Sequence, residues 1–232
     1  MEAVNRIYTL FLLFSLCAGQ HYEVSILGFP VADVEQTIHS YGKIEFSTQN
    51  RGIFDLIWPA KNYYEAKYDT NSFTLKSWGK NIKQGEFKQK INAYMDTSRV
   101  IVYNDEREIA LPDSTRTILT LLALVQTIKA EQIDTKWLPY EQEGMIGNAR
   151  FLWADTINIW DGKDSIFCDH YRLDLKIIDD KEKINERSDY FLEEVILKNN
   201  VREIWVSRQR PKKIIKASLK TTWFPIIARV IE

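Results

Sequence analysis

Residues 113–130 read Asp-Ser-Thr-Arg-Thr-Ile-Leu-Thr-Leu-Leu-Ala-Leu-Val-Gln-Thr-Ile-Lys-Ala. This is the one segment of the chain whose apolar positions recur at helical spacing for four turns. Ile118, Leu121, Leu122, Val125 and Ile128 fall on a single stripe, and Leu119, Ala123 and Leu124 widen it until little polar face remains. A helix of that kind must be buried. Pro112 ends whatever precedes it, Asp113 or Ser114 is placed to cap the first turn, and Lys129 suits the negative end of the dipole. Thr117, Thr120, Gln126 and Thr127 interrupt the run, which therefore falls short of the roughly 20 apolar residues that span a bilayer.

Outward from this helix, nearly everything alternates with period two. Before it, Tyr22, Val24 and Ile26 alternate with Glu23 and Ser25, Gly28 and Pro30 turn the chain, and the alternation continues in hairpin order up to Tyr103, some seven strands in all. After it, 149–160 pairs with 165–178 across Asp161-Gly162, the clearest hairpin turn in the sequence. Residues 190–197 and 201–207 are expected as another hairpin over Asn199-Asn200, and the mixed charges of 179–187 as a solvated loop. The expected fold is mainly β: one large curved antiparallel sheet, an incomplete barrel, packed around one central hydrophobic helix.

The first 19 residues stand apart. Residues 7–17 are apolar but for Tyr8, Thr9 and Ser15, follow Arg6, and lead into Cys17, Ala18 and Gly19. This reads as a secretory signal peptide over 1–19, cleaved after Gly19, ahead of a single β-rich domain over 20–232. The expected location is accordingly the periplasm or cell envelope. The charge of the whole chain is balanced, 31 basic against 32 acidic residues, which argues against nucleic acid as a partner. With Cys17 in the leader, Cys168 is left alone, so no internal disulfide is expected, and the thiol reads as a small buried hydrophobe. His21, His39 and His170 share no zinc-binding spacing, and neither a metal nor a cofactor is implied.

One apolar loop breaks the alternation. Between Gly52 and Pro59 stand Ile53, Phe54, Leu56, Ile57 and Trp58. Neighbouring side chains of one short loop cannot all face inward, so the loop either closes over the core, the preferred reading, or exposes an adhesive patch. The candidate ligand-binding residues are Phe54, Ile57 and Trp58 as a lid, with Leu121, Leu124, Val125 and Ile128 lining a space for a lipid or acyl chain between sheet and helix. The competing bland reading is that the helix residues form a dry core. A second candidate is the basic turn of Arg208, Arg210, Lys212 and Lys213, which would suit an envelope protein or an anionic membrane surface. No catalytic constellation emerges: Asp55, Glu65, Asp69 and Asp155, or Ser165, Asp169 and His170, have no spacing that sets a nucleophile beside a base and an orienting group. A non-catalytic role is therefore expected.

The order of turns and the residues in them resemble a bacterial family of exported proteins, the domain of unknown function 3108. Tyr22-Glu23-Val24-Ser25-Ile26-Leu27-Gly28-Phe29-Pro30-Val31 is similar to its opening motif. Arg51-Gly52-Ile53-Phe54 through Tyr63-Tyr64-Glu65 and Asp69 is similar to its second, Gly162 with Phe167-Cys168 and Tyr171 to its third, and Trp205-Val206-Ser207 to its last. Three positions depart: where the family tends to carry an aspartate and an arginine on the helix, this chain has Thr117 and Gln126, and Pro211 comes early. The resemblance implies export and a curved sheet closed by a helix, in shape like periplasmic lipoprotein carriers. It implies no activity.

Overall fold

The structure, a computed structural model, describes residues 17–231. The expected leader thus lies outside the described residues, except that its last three positions extend the first strand. Fourteen strands form one antiparallel sheet: β1 (Cys17–Ile26), β2 (Phe29–His39), β3 (Lys43–Asn50), β4 (Ala60–Tyr68), β5 (Leu75–Gln84), β6 (Phe87–Met95), β7 (Val100–Tyr103), β8 (Arg107–Ala110), β9 (Leu138–Gln142), β10 (Met145–Trp160), β11 (Ser165–Asp179), β12 (Val201–Ser207), β13 (Ile214–Lys220) and β14 (Pro225–Ile231). Their order is β8 to β1 followed by β14 to β9. Each half is a meander, and the two join where β1 pairs with β14, Val24 opposite Ala228. Four helices interrupt them: α1 (Gly52–Ile57), α2 (Ile118–Val125), α3 (Ala130–Ile133) and α4 (Tyr190–Ile196).

The helix of the 113–130 stretch is shorter than its periodicity suggests. Its cap is Thr117, not Asp113 or Ser114, through a reciprocal box in which Thr117 accepts from the Thr120 amide and Thr120 accepts from the Thr117 amide. It stops at Val125 because polar side chains take over the carbonyls that another turn would have used: Gln126 Nε2 donates to Leu122 O at 2.9 Å and Thr127 Oγ1 to Ala123 O at 2.9 Å. Within it Leu121, Ala123 and Val125 have no exposed surface, while Leu122 is half-buried. The helix contacts β3, β4 and β9. Strands far apart in the order reach the same helix, so the sheet is deeply curved, and Tyr103 on β7 donates to Glu141 on β9, bringing the two margins within one side-chain bond.

Two expectations are corrected. Residues 190–196 are helical rather than one arm of a hairpin, because Asp189 caps them, its carboxylate accepting from the Leu192 amide at 3.1 Å, and Leu192 and Val195 point into the core at helical spacing. Residues 52–57 also form a short helix, and it does not close over the core: Ile53, Leu56 and Ile57 are 65 %, 84 % and 75 % exposed.

The register fixes which connections share an end of this barrel-like sheet. The β1–β2 turn, α1 between β3 and β4, the β5–β6 turn, the β9–β10 turn, α4 ahead of β12 and the β13–β14 turn all lie at one end, since the pairs Ile26 with Phe29, Ala32 with Asn50, Ala60 with Gln84, Gln142 with Met145, Val201 with Lys220 and Ile26 with Ile226 meet there. We call this end the mouth. The chain between β11 and β12, residues 180–200, crosses it.

Candidate functional site

A buried ion cluster sits under that crossing. On β5 the alternation Trp78, Lys80, Ile82 places all three side chains inward, so Lys80 enters the core with no exposed side-chain surface. Its ammonium donates to Glu143 Oε1 at 2.5 Å, Ser188 Oγ at 2.7 Å and Asp189 Oδ2 at 3.0 Å, which uses all three of its hydrogens. Ser188 donates to Glu143 at 2.7 Å, and Tyr64 OH on β4 donates to the other oxygen of Asp189 at 2.8 Å. Two carboxylates face one ammonium, and all three are fully enclosed.

Glu143 owes its position to a tight β9–β10 turn in which Glu143 and Gly144 both take positive φ, 52° and 84°, a primed hairpin. Only glycine serves at 144, because a Cβ there would stand 2.0 Å from the Glu182 carbonyl oxygen of the mouth segment, which is anchored alongside by Ile184 N donating to Glu143 O at 2.9 Å. Beside the cluster, Glu141 accepts from Tyr103 and from the Gly144 amide at 2.8 Å, while its second oxygen has no partner. Burial, which outweighs those two bonds, pushes the Glu141 carboxyl up to about 7, and neighbouring Glu143 adds to the rise. The far end of α4 is fastened as well: Arg202 donates to the carbonyls of Val195, Leu197 and Asn200.

Chemically this arrangement is a latch. Lys80 is saturated by acceptors, Ser188 has no imidazole beside it, and no atom of the triad reaches solvent, so the cluster binds the mouth segment to β5 and the β9–β10 turn. A second polar chain links α2 to the sheet: Gln20 Nε2 donates to Gln126 Oε1 at 3.0 Å, and Tyr22 OH lies 2.7 Å from Gln20 Oε1 and 2.9 Å from Gln36 Oε1. Position 126, where the resembled family carries arginine, thus keeps a helix-to-sheet contact through a neutral amide.

The candidates read from sequence separate into two places. Leu121, Leu124, Val125 and Ile128 belong to the core or pack against it. Phe54, Ile57 and Trp58 stand outside on the rim of the mouth, 41 %, 75 % and 44 % exposed, with the Trp58 ring edge-on to Tyr190 at 6.4 Å and against Gly85. Of the basic turn, Arg208 lies 3.5 Å from Asp169 and over the Phe167 ring, and Lys212 donates to Ile128 O at 3.0 Å, leaving Arg210 and Lys213 to face solvent. His170 stacks on Trp205 and pairs with Asp155 at 3.1 Å, and Cys168 is fully buried, its thiol pushed up to about 12 by desolvation. Among the described residues, no cluster of three metal-ligating side chains occurs.

Sequence reasoning missed the latch. Its members lie 63 and 109 residues apart, and one signal was legible: Lys80 occupies an inward position of an alternating strand between Trp78 and Ile82.

No family model and no curated protein matches this sequence. Among solved structures, the chain is similar to the crystal structure of a β-barrel-like protein of domain of unknown function 1849 from Brucella abortus, with a TM-score of 0.56 and 9 % identity over 94 % of this chain and 96 % of that one. The likeness is one of fold. It shows a barrel-like curved sheet and nothing about activity.

Proposed function

We propose that this chain is an exported, non-catalytic module of the bacterial cell envelope that takes up an apolar ligand, such as a lipid or acyl chain, between the sheet and α2. The motif resemblance to the exported family of domain of unknown function 3108 supports export. The observation that carries ligand uptake is the construction of the mouth: a segment of irregular chain and one short helix closes it, not paired strands. Leu192 and Val195 of that segment face the core, and its Tyr190 meets the apolar lid residue Trp58. Such a flap can leave the sheet without breaking a ladder, and its departure uncovers the part of the core that Leu192 and Val195 fill. In this reading Leu121, Leu124 and Val125 would line the ligand, with Phe54, Ile57 and Trp58 guarding the way in.

The test is a titration of monomeric fatty acid into the purified domain, followed by tryptophan fluorescence. A saturable change that Trp58→Ala weakens without altering the melting temperature is expected. A signal that never saturates with any acyl compound, or one indifferent to Trp58→Ala, would sink the carrier reading.

A further inference from the structure

We propose that the rim of the mouth is a membrane-docking surface, which seats this protein on an anionic lipid bilayer. The inference stands apart from ligand uptake and rests on how apolar and basic groups are distributed over the two ends.

At the mouth, successive connections around the sheet each present large apolar side chains to solvent. The β1–β2 turn offers Leu27 and Phe29, both 67 % exposed; α1 offers Leu56 and Ile57; the β13–β14 turn offers Trp223, 87 % exposed; α4 offers Phe191. A water-soluble surface scatters such residues singly, whereas here they line one arc. At the opposite end, the tips are polar: Asp69 accepts from Ser72 in the β4–β5 turn, Asp96 from Ser98 in the β6–β7 turn, and Asp161 from Lys163 in the β10–β11 turn. Exposed large apolar residues occur there too, Tyr41 and Trp160 at the tips and Tyr94, Ile157, Phe167 and Ile231 on the strands below, as do the solvent-facing Arg210 and Lys213. They do not form a continuous crest along successive connections as at the mouth.

Charge selects the occupant. Beside α1, the outer face of β4, β5 and β6 carries Lys61, Lys83 and Lys88 side by side, since Lys61 pairs with Lys83 and Lys83 with Lys88, and Lys90 follows in the next row opposite Asn81. All four are exposed and none takes part in an ion pair, and Lys83, Lys88 and Lys90 line a shallow depression with Gln89 and Asn81. The acidic residues close by are Asp55 on α1, Glu86 in the β5–β6 turn, and Asp105 and Glu106 in the β7–β8 turn, which hydrogen-bonds β6 at Asn92 two residues past Lys90. An apolar rim flanked by unpaired lysines matches a bilayer with anionic headgroups, where the side chains enter the acyl boundary and the ammonium groups meet phosphate. The aromatic Trp58, Trp223 and Phe191 suit that boundary. A protein partner would have no need of a lysine row just behind an apolar crest, and a second copy would set like charges against each other.

Cosedimentation of the domain with phosphatidylcholine vesicles, with and without phosphatidylglycerol, tests this. Binding is expected only with the anionic lipid and should weaken as salt rises. Lys83→Glu with Lys88→Glu should weaken it by roughly 25-fold or more, taking each lysine at about fivefold. Leu56→Asp with Ile57→Asp should abolish it, and Tyr41→Asp at the other end should leave it intact; all of these sites are exposed, and an unchanged melting temperature verifies that each variant is folded. Absence of binding to anionic vesicles, or binding that survives Leu56→Asp with Ile57→Asp, overturns the proposal. A dimer in sedimentation velocity that this double variant dissociates, without vesicle binding by the parent, overturns it in favour of a second copy on the rim.

Discussion

Glu141 gives the stability of the fold a component that falls as pH rises toward neutrality. Its carboxyl titrates near 7 in the folded protein, against an ordinary value of about 4.5, because burial penalises the ionised form more than Tyr103 and the Gly144 amide favour it. Below the ordinary value both states hold the proton. Between about 4.5 and 7 the folded state binds more protons than the unfolded one, so stability falls as pH rises through that window, by roughly 3 kcal/mol in all at 1.36 kcal/mol per unit. Glu141→Gln keeps an acceptor oxygen toward Tyr103 and Gly144 and removes the charge. Denaturant melts should therefore show the variant more stable than the parent at pH 8 and nearly equal at pH 4; parallel pH profiles for the two would mean that Glu141 is not the titrating group.

At the scale of the element, α2 and α4 illustrate opposite ways of burying a short helix. α2 holds its place by packing: eight residues are too few for an isolated helix, so its stability is tertiary. Leu121→Ala should cost about 2–5 kcal/mol by leaving a cavity, whereas the half-buried Leu122 should tolerate the same change at roughly half that cost or less. Equal losses at the two positions in urea melts would show that the burial of the helix is misassigned. The periodicity of 113–130 made this helix legible, along with the strands on either side, because a local repeat of apolar residues is written in one stretch of chain. The helix ends were not, since Thr117, Gln126 and Thr127 stop it through side-chain hydrogen bonds that composition does not announce. α4 was misread as a strand for a related reason. Over so few residues Tyr190, Leu192 and Ile196 fit a strand as readily as Leu192 and Val195 fit a helix, and what decides between them is the Asp189 cap, itself held by Lys80 from a strand more than a hundred residues away. The exposed lid went the same way: whether an apolar loop folds inward depends on what already fills the interior.

For the whole molecule, two modes of closure have different consequences for motion. The sheet is held by continuous ladders, the longest between β10 and β11, which pair from Ile146 with Asp179 to Trp160 with Ser165. The mouth is held by the Lys80 latch at one end of α4 and the Arg202 clamp at the other. Opening the flap breaks those polar contacts and exposes Leu192 and Val195; unfolding the sheet breaks everything. Local opening is thus the cheaper event, and amide exchange should resolve it. Amides of 190–196 are expected to exchange with deuterium well before those of β10 and β11. Lys80→Met leaves the Glu143 and Asp189 carboxylates enclosed without a cation, a loss on the order of 3–5 kcal/mol that falls on the closed flap. The variant should accelerate exchange across 188–197 far more than across β10. If α4 and β10 instead exchange at one common rate in the parent, and Lys80→Met shifts both alike, the mouth and the sheet are a single cooperative unit. The flap would then be no gate, and an apolar ligand could meet this protein only at its surface.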